Sequence, residues 1–197
     1  MYTYRTLTPE QKAEVLRHRQ LRGYPLHEPP HLHEVDGWFL ITAATYEHKH
    51  HFCTEADRAW LLQELLQELQ ASGIPCNGWV VLPNHYHLVV QCRPLSAISQ
   101  PLRRVHARTA RELNRREGQM GRQVWYRFSD RKMRNERHYY TTLNYIHYNP
   151  TKHGYTPKPL DWACSSAHWY LGHFGTEWLR DLWRTHPVRN YGKGWDW

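Results

Sequence analysis

Short apolar runs alternate with longer amphipathic segments along the chain, a pattern typical of a domain that mixes strands with helices. Apolar runs bounded by polar turns predict strands at residues 38–46, 77–82, 85–92 and 124–130. Apolar side chains spaced three and four residues apart predict helices at residues 7–22, 54–73, 96–116 and 135–149. After the first helix the order is β-α-β-β-α-β, that of a ferredoxin-like split βαβ sandwich. We therefore expect an α+β fold whose antiparallel sheet has helices on one face and leaves the other face open for a substrate.

Polar residues and prolines at the ends of these segments predict how the elements start and stop. Thr54 with Asp57 can cap the second helix, in which Leu62, Leu65, Leu66 and Leu69 line one face. Pro83 and Asn84 should join the second and third strands as a hairpin. Pro150 is expected to end the last helix, because proline has no N–H to continue it.

Composition narrows the class of partner. The 197 residues are 40% hydrophobic, which is enough for a core and excludes a disordered chain. The formal net charge of +8, with an isoelectric point of about 9.4, favours a polyanion such as nucleic acid, although solubility alone is an alternative. Ten Trp and thirteen Tyr exceed what a core requires and offer stacking surfaces for unpaired bases.

The cysteines and the N-terminus indicate the compartment. The four cysteines are scattered without a CxxC pair, so they predict reduced thiols and not a zinc site or a disulfide framework. The N-terminus is polar, and no apolar run is long enough to span a membrane. We expect a cytoplasmic protein without a membrane partner.

Histidine pairs separated by one residue are the first candidate chemistry. They occur three times, at His31/His33, at His48/His50 and at His85/His87. The first two lie in segments expected to be polar loops. The third lies in an apolar strand, where a period of two places both imidazoles on one face. Such a pair can chelate a divalent ion if a third ligand is present, and it can equally be a surface pair on an exposed sheet face.

The last predicted helix carries a candidate third ligand together with a candidate nucleophile. Tyr145 and Asn149 are four residues apart and therefore stack on one helix face, which His138 and Thr142 extend. The alternative for Tyr145 is one more half-buried aromatic residue. Asn149 precedes proline, which disfavours the helical conformation, so its direction is open.

These residues together resemble a known family. The segment LPNHYHLVV, an arginine-rich helix and then YIHYNPTKHG (residues 145–154) are similar to the HUH single-tyrosine transposases, above all to the REP-associated tyrosine transposases, which keep a YIxxNPxKHG context. The likeness runs from about Trp38 to Tyr170. It implies an N-terminal extension at 1–37, an HUH transposase catalytic domain at 38–154 and a C-terminal Trp-rich tail at 155–197, whose structure the pattern leaves irregular.

The resemblance also implies roles for single residues. His85 and His87 correspond to the metal ligands, Asn149 stands where relatives place a polar third ligand, and Tyr145 corresponds to the nucleophile. The ion would be Mg²⁺, which prefers oxygen, or Mn²⁺, which tolerates imidazole better. Lys152 or His153 would favour the phenolate of Tyr145, whose ordinary pKa is near 10, or contact DNA.

The resemblance further implies a DNA hairpin with flanking single strand as the partner. Arginines recur at spacings of four, three and four on the helix before the fourth strand, at Arg104, Arg108, Arg111 and Arg115. With Glu112 and Glu117 as the nearby acids, this stripe is interpreted as phosphate contacts, and the alternative is a solvated helix face. Trp125, Tyr126 and Phe128 are candidates either for base stacking or for the core.

The function expected from the resemblance is an enzyme that cuts and rejoins single-stranded DNA through a 5′-phosphotyrosine intermediate, acting as a monomer or a homodimer. Three alternatives stay open. The chain could be a domesticated hairpin-binding protein that no longer cuts, an HUH replication initiator or relaxase, or a histidine-rich metal-storage protein. The short chain and the YIxxNPxKHG context favour the transposase.

Overall fold

The fold is built on one four-stranded antiparallel sheet. The structure is a computed structural model that describes residues 8–21 and 35–192. Its strands are β1 (Gly37–Ala44), β2 (Cys76–Val81), β3 (His85–Cys92) and β4 (Ser129–Lys132). They lie in the order β2-β3-β1-β4, with every pair antiparallel. This is the order of a ferredoxin-like sheet, and the predicted fold is confirmed.

Five α-helices accompany the sheet in the described residues: α1 (Pro9–Leu21), α2 (Glu55–Ala71), α3 (Ser99–Arg116), α4 (Glu136–Lys152) and α5 (Ala167–Thr185). Thr54 caps α2 as expected, since its side chain accepts a hydrogen bond from the Asp57 amide. The fully buried residues of α2 are Leu61, Leu65 and Leu69. The predicted face, with Leu62 and Leu66 in place of Leu61, was therefore slightly rotated about the helix axis. Of the helices in the described residues, none combines the length and apolar content needed to cross a bilayer.

The two faces of β3 contact different helices. Tyr86 points towards α3, where its hydroxyl lies 2.8 Å from His106 Nε2. His85 and His87 point the other way, towards α4, and only 5% and 1% of their surfaces are exposed. The expectation of an open sheet face is therefore wrong. The face is covered because α4 packs across β2 and β3 and the C-terminal residues pack against α4.

Pro150 does not end α4, which continues to Lys152. A proline removes the hydrogen bond from its own nitrogen, but its carbonyl can still accept, and here the Tyr155 amide donates to it. Because Pro150 lies in the last turn, the helix loses little, and Asn149 keeps a helical position. The prediction that the helix ends before Pro150 was therefore wrong.

Two further segments differ from the sequence prediction. The fourth strand is Ser129–Lys132, and residues 124–128 contribute a single bridge between Trp125 and Thr45. The tail after Tyr155 is not irregular, because α5 buries Tyr170, Leu179 and Leu182 in the core. Gly172 and Gly175 lower the helical propensity of that segment, and Gly175 breaks the helix with a φ of 84°.

Gly78 of β2 sets how closely α4 approaches the sheet. A Cβ atom at this position would lie 2.8 Å from Leu143 Cδ1 and from Ile146 Cδ1, both in the buried face of α4. We expect Gly78→Ala to lower the free energy of unfolding by about 1–3 kcal/mol, the usual cost of overpacking a core. Chemical denaturation of the purified protein measures this change.

Gly172→Ala is the matched control for that substitution. Gly172 lies within α5, and a Cβ atom there meets nothing within 4 Å. Its replacement should raise stability by about 0.5–1 kcal/mol, because alanine favours the helix over glycine. Equal stability of Gly78→Ala and the parent chain would contradict the close approach of α4.

Candidate active site

His85 and His87 form the floor of the site at the start of β3. Their ring centroids are 5.1 Å apart. His85 Nδ1 lies 2.8 Å from Asn84 Oδ1, and His87 Nδ1 lies 2.7 Å from Thr42 Oγ1. Since an amide oxygen only accepts, His85 Nδ1 must donate, and the lone pair of a neutral His85 ring lies on Nε2. Both rings are held from the Nδ1 side, as the rings of metal-ligating histidines are.

Asn149 of α4 faces His85 directly. Its Oδ1 lies 3.2 Å from His85 Nε2, and its Nδ2 is buried without a hydrogen-bond partner. In this arrangement two acceptors point at the same place, which is unfavourable unless a positive charge lies between them. Two ligands at right angles on an octahedral ion with bonds of about 2.1 Å lie about 3 Å apart, so the separation fits a shared cation.

Tyr145 lies one helical turn before Asn149, as the spacing predicted. Its ring centroid is 5.3 Å from that of His87, and 1% of its surface is exposed. Lys152 Nζ lies 5.0 Å from the centroid of the same ring. His153, one turn after Asn149, brings its ring centroid to 5.0 Å from that of His85. The structure thus brings together all six residues that the sequence selected around the histidine pair.

Sequence reasoning missed Tyr191, which reaches the site from beyond α5. Its hydroxyl lies 2.5 Å from Thr142 Oγ1 and 2.9 Å from His138 Nε2. These two residues lie on the face of α4 that the sequence predicted to continue from Tyr145. Burial raises the pKa of Tyr191, so the hydroxyl stays protonated at neutral pH. Nothing in the periodicity of the chain marks this residue, since it follows the last helix.

Tyr191 and Gly192 form a cover over the candidate nucleophile. The Tyr191 ring centroid is 5.6 Å from that of Tyr145. Gly192 lies directly against the Tyr145 ring, and its carbonyl accepts a hydrogen bond of 2.9 Å from Lys152 Nζ. This conformation is closed, because only 1% of the Tyr145 surface is exposed beneath Tyr191 and Gly192.

The arginine stripe of α3 lies on the other side of the sheet. Arg104 pairs with Glu68 at 2.6 Å, and Arg108 pairs with Glu64 at 2.8 Å and with Glu68. The expectation that Glu112 and Glu117 are the nearby acids was therefore wrong, because α2 packs alongside α3 and supplies its own carboxylates.

Arg115 pairs with Glu112, whereas Arg111 has no ion pair within the described residues. The role of the stripe in phosphate contact stays a prediction, and the ion pairs weaken it. Basic charge also lies on the face of the site. Burial raises the pKa of Tyr191, and Thr142 and Arg131 of β4 partly offset that rise. Burial lowers the pKa of His138, and Arg134 and Arg131 lower it further.

The structure also gives the surroundings of the candidate aromatic residues of the fourth strand segment. Trp125 is in the core, stacked on His106 with ring centroids 4.5 Å apart. Tyr126 packs against Tyr46, with ring centroids 5.0 Å apart. His31 and His33 lie outside the described residues. Within residues 8–21 and 35–192, no three His, Cys, Asp or Glu side chains gather into a metal site.

Comparison with known proteins bears on the family resemblance and on the fold. No family model matches the chain. A Haemophilus influenzae (strain Rd) protein, provisionally named as a REP-associated tyrosine transposase, is 33% identical over 99 residues, which are 45% of this chain and 56% of that protein. The resemblance to the REP-associated tyrosine transposases is confirmed. The matched residues span only about half of that relative, so its activity and its partners are not assigned to this chain.

A solved structure supports the fold of this chain. It is the REP-associated tyrosine transposase bound to a REP hairpin, with a TM-score of 0.60 and 22% sequence identity. The superposition covers 74% of this chain and 86% of the solved one. At this identity the match establishes a shared fold.

We expect Gly192→Ala to uncover Tyr145. The added Cβ would overlap the Tyr145 ring, so Tyr191 and Gly192 must shift away from α4. Nitration of Tyr145 by tetranitromethane, mapped by mass spectrometry, should rise at least severalfold over the parent chain.

Gly121→Ala controls for backbone strain in this experiment. Gly121 has a φ of 82°, close to the 76° of Gly192, but a Cβ there meets nothing within 4 Å. It should leave the nitration of Tyr145 unchanged. If Gly192→Ala also leaves it unchanged, the cover does not protect the ring.

Proposed function

We propose that the chain is a metal-dependent endonuclease and strand transferase of the transposase class, which cuts single-stranded DNA beside a hairpin through a 5′-phosphotyrosine intermediate. The observation that carries the proposal is the meeting of Tyr145 and Asn149 of α4 with His85 and His87 of β3 in one buried cluster. A phenol, two imidazoles and an amide have no shared structural purpose that would explain their convergence as simply as phosphoryl transfer does.

The residues at this cluster fit a divalent ion. His85 Nε2 and Asn149 Oδ1 are already at the separation of two ligands on one ion, and His87 is held in a matching orientation by Thr42. The three donors are neutral, so they would leave the charge of the ion available for phosphate oxygens. The two imidazoles favour Mn²⁺ over Mg²⁺, which prefers oxygen ligands. A bound ion would polarise the phosphorus centre and offset the charge that develops on its oxygens.

Tyr145 supplies the nucleophile in this proposal. Its phenolic oxygen loses a proton and forms a bond to the phosphorus, and the bond from the phosphorus to the 3′ oxygen breaks. The leaving 3′ oxygen gains a proton and becomes the 3′-hydroxyl. Lys152, whose ammonium lies 5.0 Å from the Tyr145 ring centroid, favours the phenolate. The phosphotyrosine link keeps the bond energy, so the 3′-hydroxyl can attack it and rejoin the strands, which suits strand transfer better than degradation.

A DNA hairpin is the partner that charge and fold support. The chain carries a formal net charge of +8, and a protein with the same fold was solved with a REP hairpin bound. On the face of the site the candidate phosphate contacts are Lys152, His153 and Arg131. The stripe at Arg104, Arg108, Arg111 and Arg115 would have to bind a part of the DNA that passes the opposite face of the sheet.

A second candidate function is hairpin binding without cleavage, and the burial of Tyr145 under Tyr191 and Gly192 favours it. The two candidates differ in one product. Only the enzyme forms a covalent bond to DNA.

Incubation with hairpin oligonucleotides and Mn²⁺ should give a covalent protein–DNA adduct that Tyr145→Phe abolishes, because the substitution keeps the buried ring and removes the attacking oxygen. The adduct is measured as a shifted band on a denaturing gel, with the linked peptide identified by mass spectrometry. Tyr140→Phe, on the same helix but outside the cluster, should form the adduct at the parent level. An adduct that persists in Tyr145→Phe would remove Tyr145 from the reaction.

Substitutions of Asn149 test the ion. We expect Asn149→Leu to weaken Mn²⁺ binding, followed by electron paramagnetic resonance, by about 10- to 100-fold. Asn149→Asp should bind Mn²⁺ at least as tightly as the parent chain, because a carboxylate is a stronger ligand than an amide. Equal Mn²⁺ affinity in the parent chain and in Asn149→Leu would exclude Asn149 as a ligand and leave the assignment of His85 and His87 to be tested by itself.

A further inference from the structure

A cavity of about 500 Å³ lies between α4, the end of α5 and residues 187–191. Its volume is in the range of sites that bind small molecules. Tyr145 is part of its lining, so the candidate nucleophile borders the histidine cluster on one side and this cavity on the other. None of the chemistry assigned above uses the cavity.

Two aromatic rings form its fixed wall. Tyr148 and Trp183 lie with ring centroids 5.1 Å apart and planes at 67°. Trp183 is anchored because its Nε1–H donates to His147 Nδ1 at 3.3 Å. Burial lowers the pKa of His147 to about 3, so this ring is neutral and can accept that hydrogen bond. Pro187 and Val188 complete the apolar part of the lining.

The rest of the lining is polar or positive. Lys152, Arg189 and Asn190 contribute to it, and among the described residues none that lines the cavity is acidic. Thr151 also borders the cavity, and its Oγ1 is buried without a hydrogen-bond partner. Aromatic walls beside an unsatisfied hydroxyl, with cations nearby, suit a flat heteroaromatic ring that is attached to an anionic backbone.

We propose that this cavity binds one unstacked nucleobase of single-stranded DNA, next to the phosphate that Tyr145 attacks. The inference rests on the proposed function, since it places the base relative to that phosphate. The base packs against Tyr148 and Trp183, and its backbone passes Lys152. Binding of the base at this point fixes which phosphate reaches Tyr145, so the cavity contributes to the choice of cleavage site.

Photo-crosslinking tests the cavity without knowledge of the hairpin sequence. The probes are thymidine tetranucleotides with one 5-iododeoxyuridine, and the protein is the full chain in EDTA, which prevents metal-dependent cleavage. Irradiation should attach the probe to Tyr148 or Trp183, as located by mass spectrometry. Tyr148→Leu should lower tetranucleotide affinity about tenfold, in line with the loss of one stacking ring, and Tyr148→Phe should restore it.

Trp169→Leu is the matched control. Trp169 is an exposed aromatic residue of α5 that is 42% accessible and lies outside the cavity, so its replacement should change neither the crosslink nor the affinity. Crosslinks at Trp169, crosslinks elsewhere or none at all would overturn the proposal, as would equal affinities in the parent chain and Tyr148→Leu. A covalent hairpin adduct together with any of these results would leave the proposed cleavage intact and reject the cavity alone.

Discussion

The packing of α4 across β3 is the constraint on which the rest of the site depends. A strand presents His85 and His87 on one face because its period is two, and a helix presents Tyr145 and Asn149 on one face because they are four residues apart. The two patterns meet only if the helix comes close to the sheet, and Gly78 provides the room for that approach. The close packing of the Leu143 and Ile146 side chains on Gly78 thus affects the distance between side chains that are about 60 residues apart in sequence.

The sequence was most informative where chemistry and periodicity coincide. The hairpin of β2 and β3, the histidine pair and the tyrosine stripe were all predicted because each has a local pattern. The prediction from Pro150 was wrong because a proline removes only the hydrogen bond of its own nitrogen. Other backbone amides could still donate to the last carbonyls of α4. The acids that pair with Arg104 and Arg108 were missed because they come from α2, and contacts between helices leave no trace in local spacing. Tyr191 was missed because it follows the last helix, and its contacts with α4 likewise leave no trace in local spacing.

Charge is distributed unequally between the two layers of the sandwich. Between α2 and α3 the arginines are largely matched by carboxylates, so that surface is close to neutral where the helices meet. Around Tyr145 the neighbouring groups of the described residues are imidazoles, an amide and the ammonium of Lys152, none of which is acidic. Among the described residues, the cluster presents no carboxylate to a phosphodiester on this side, and its candidate ligands His85, His87 and Asn149 would add no negative charge to a cation.

Hydrogen bonds join the cover, Tyr191 and Gly192, to His138, Thr142 and Lys152 of α4. Three such bonds, each worth about 1 kcal/mol net, favour the closed arrangement by about 3 kcal/mol. These bonds have to break before a phosphate can reach Tyr145, so any turnover would include an opening step before the chemistry.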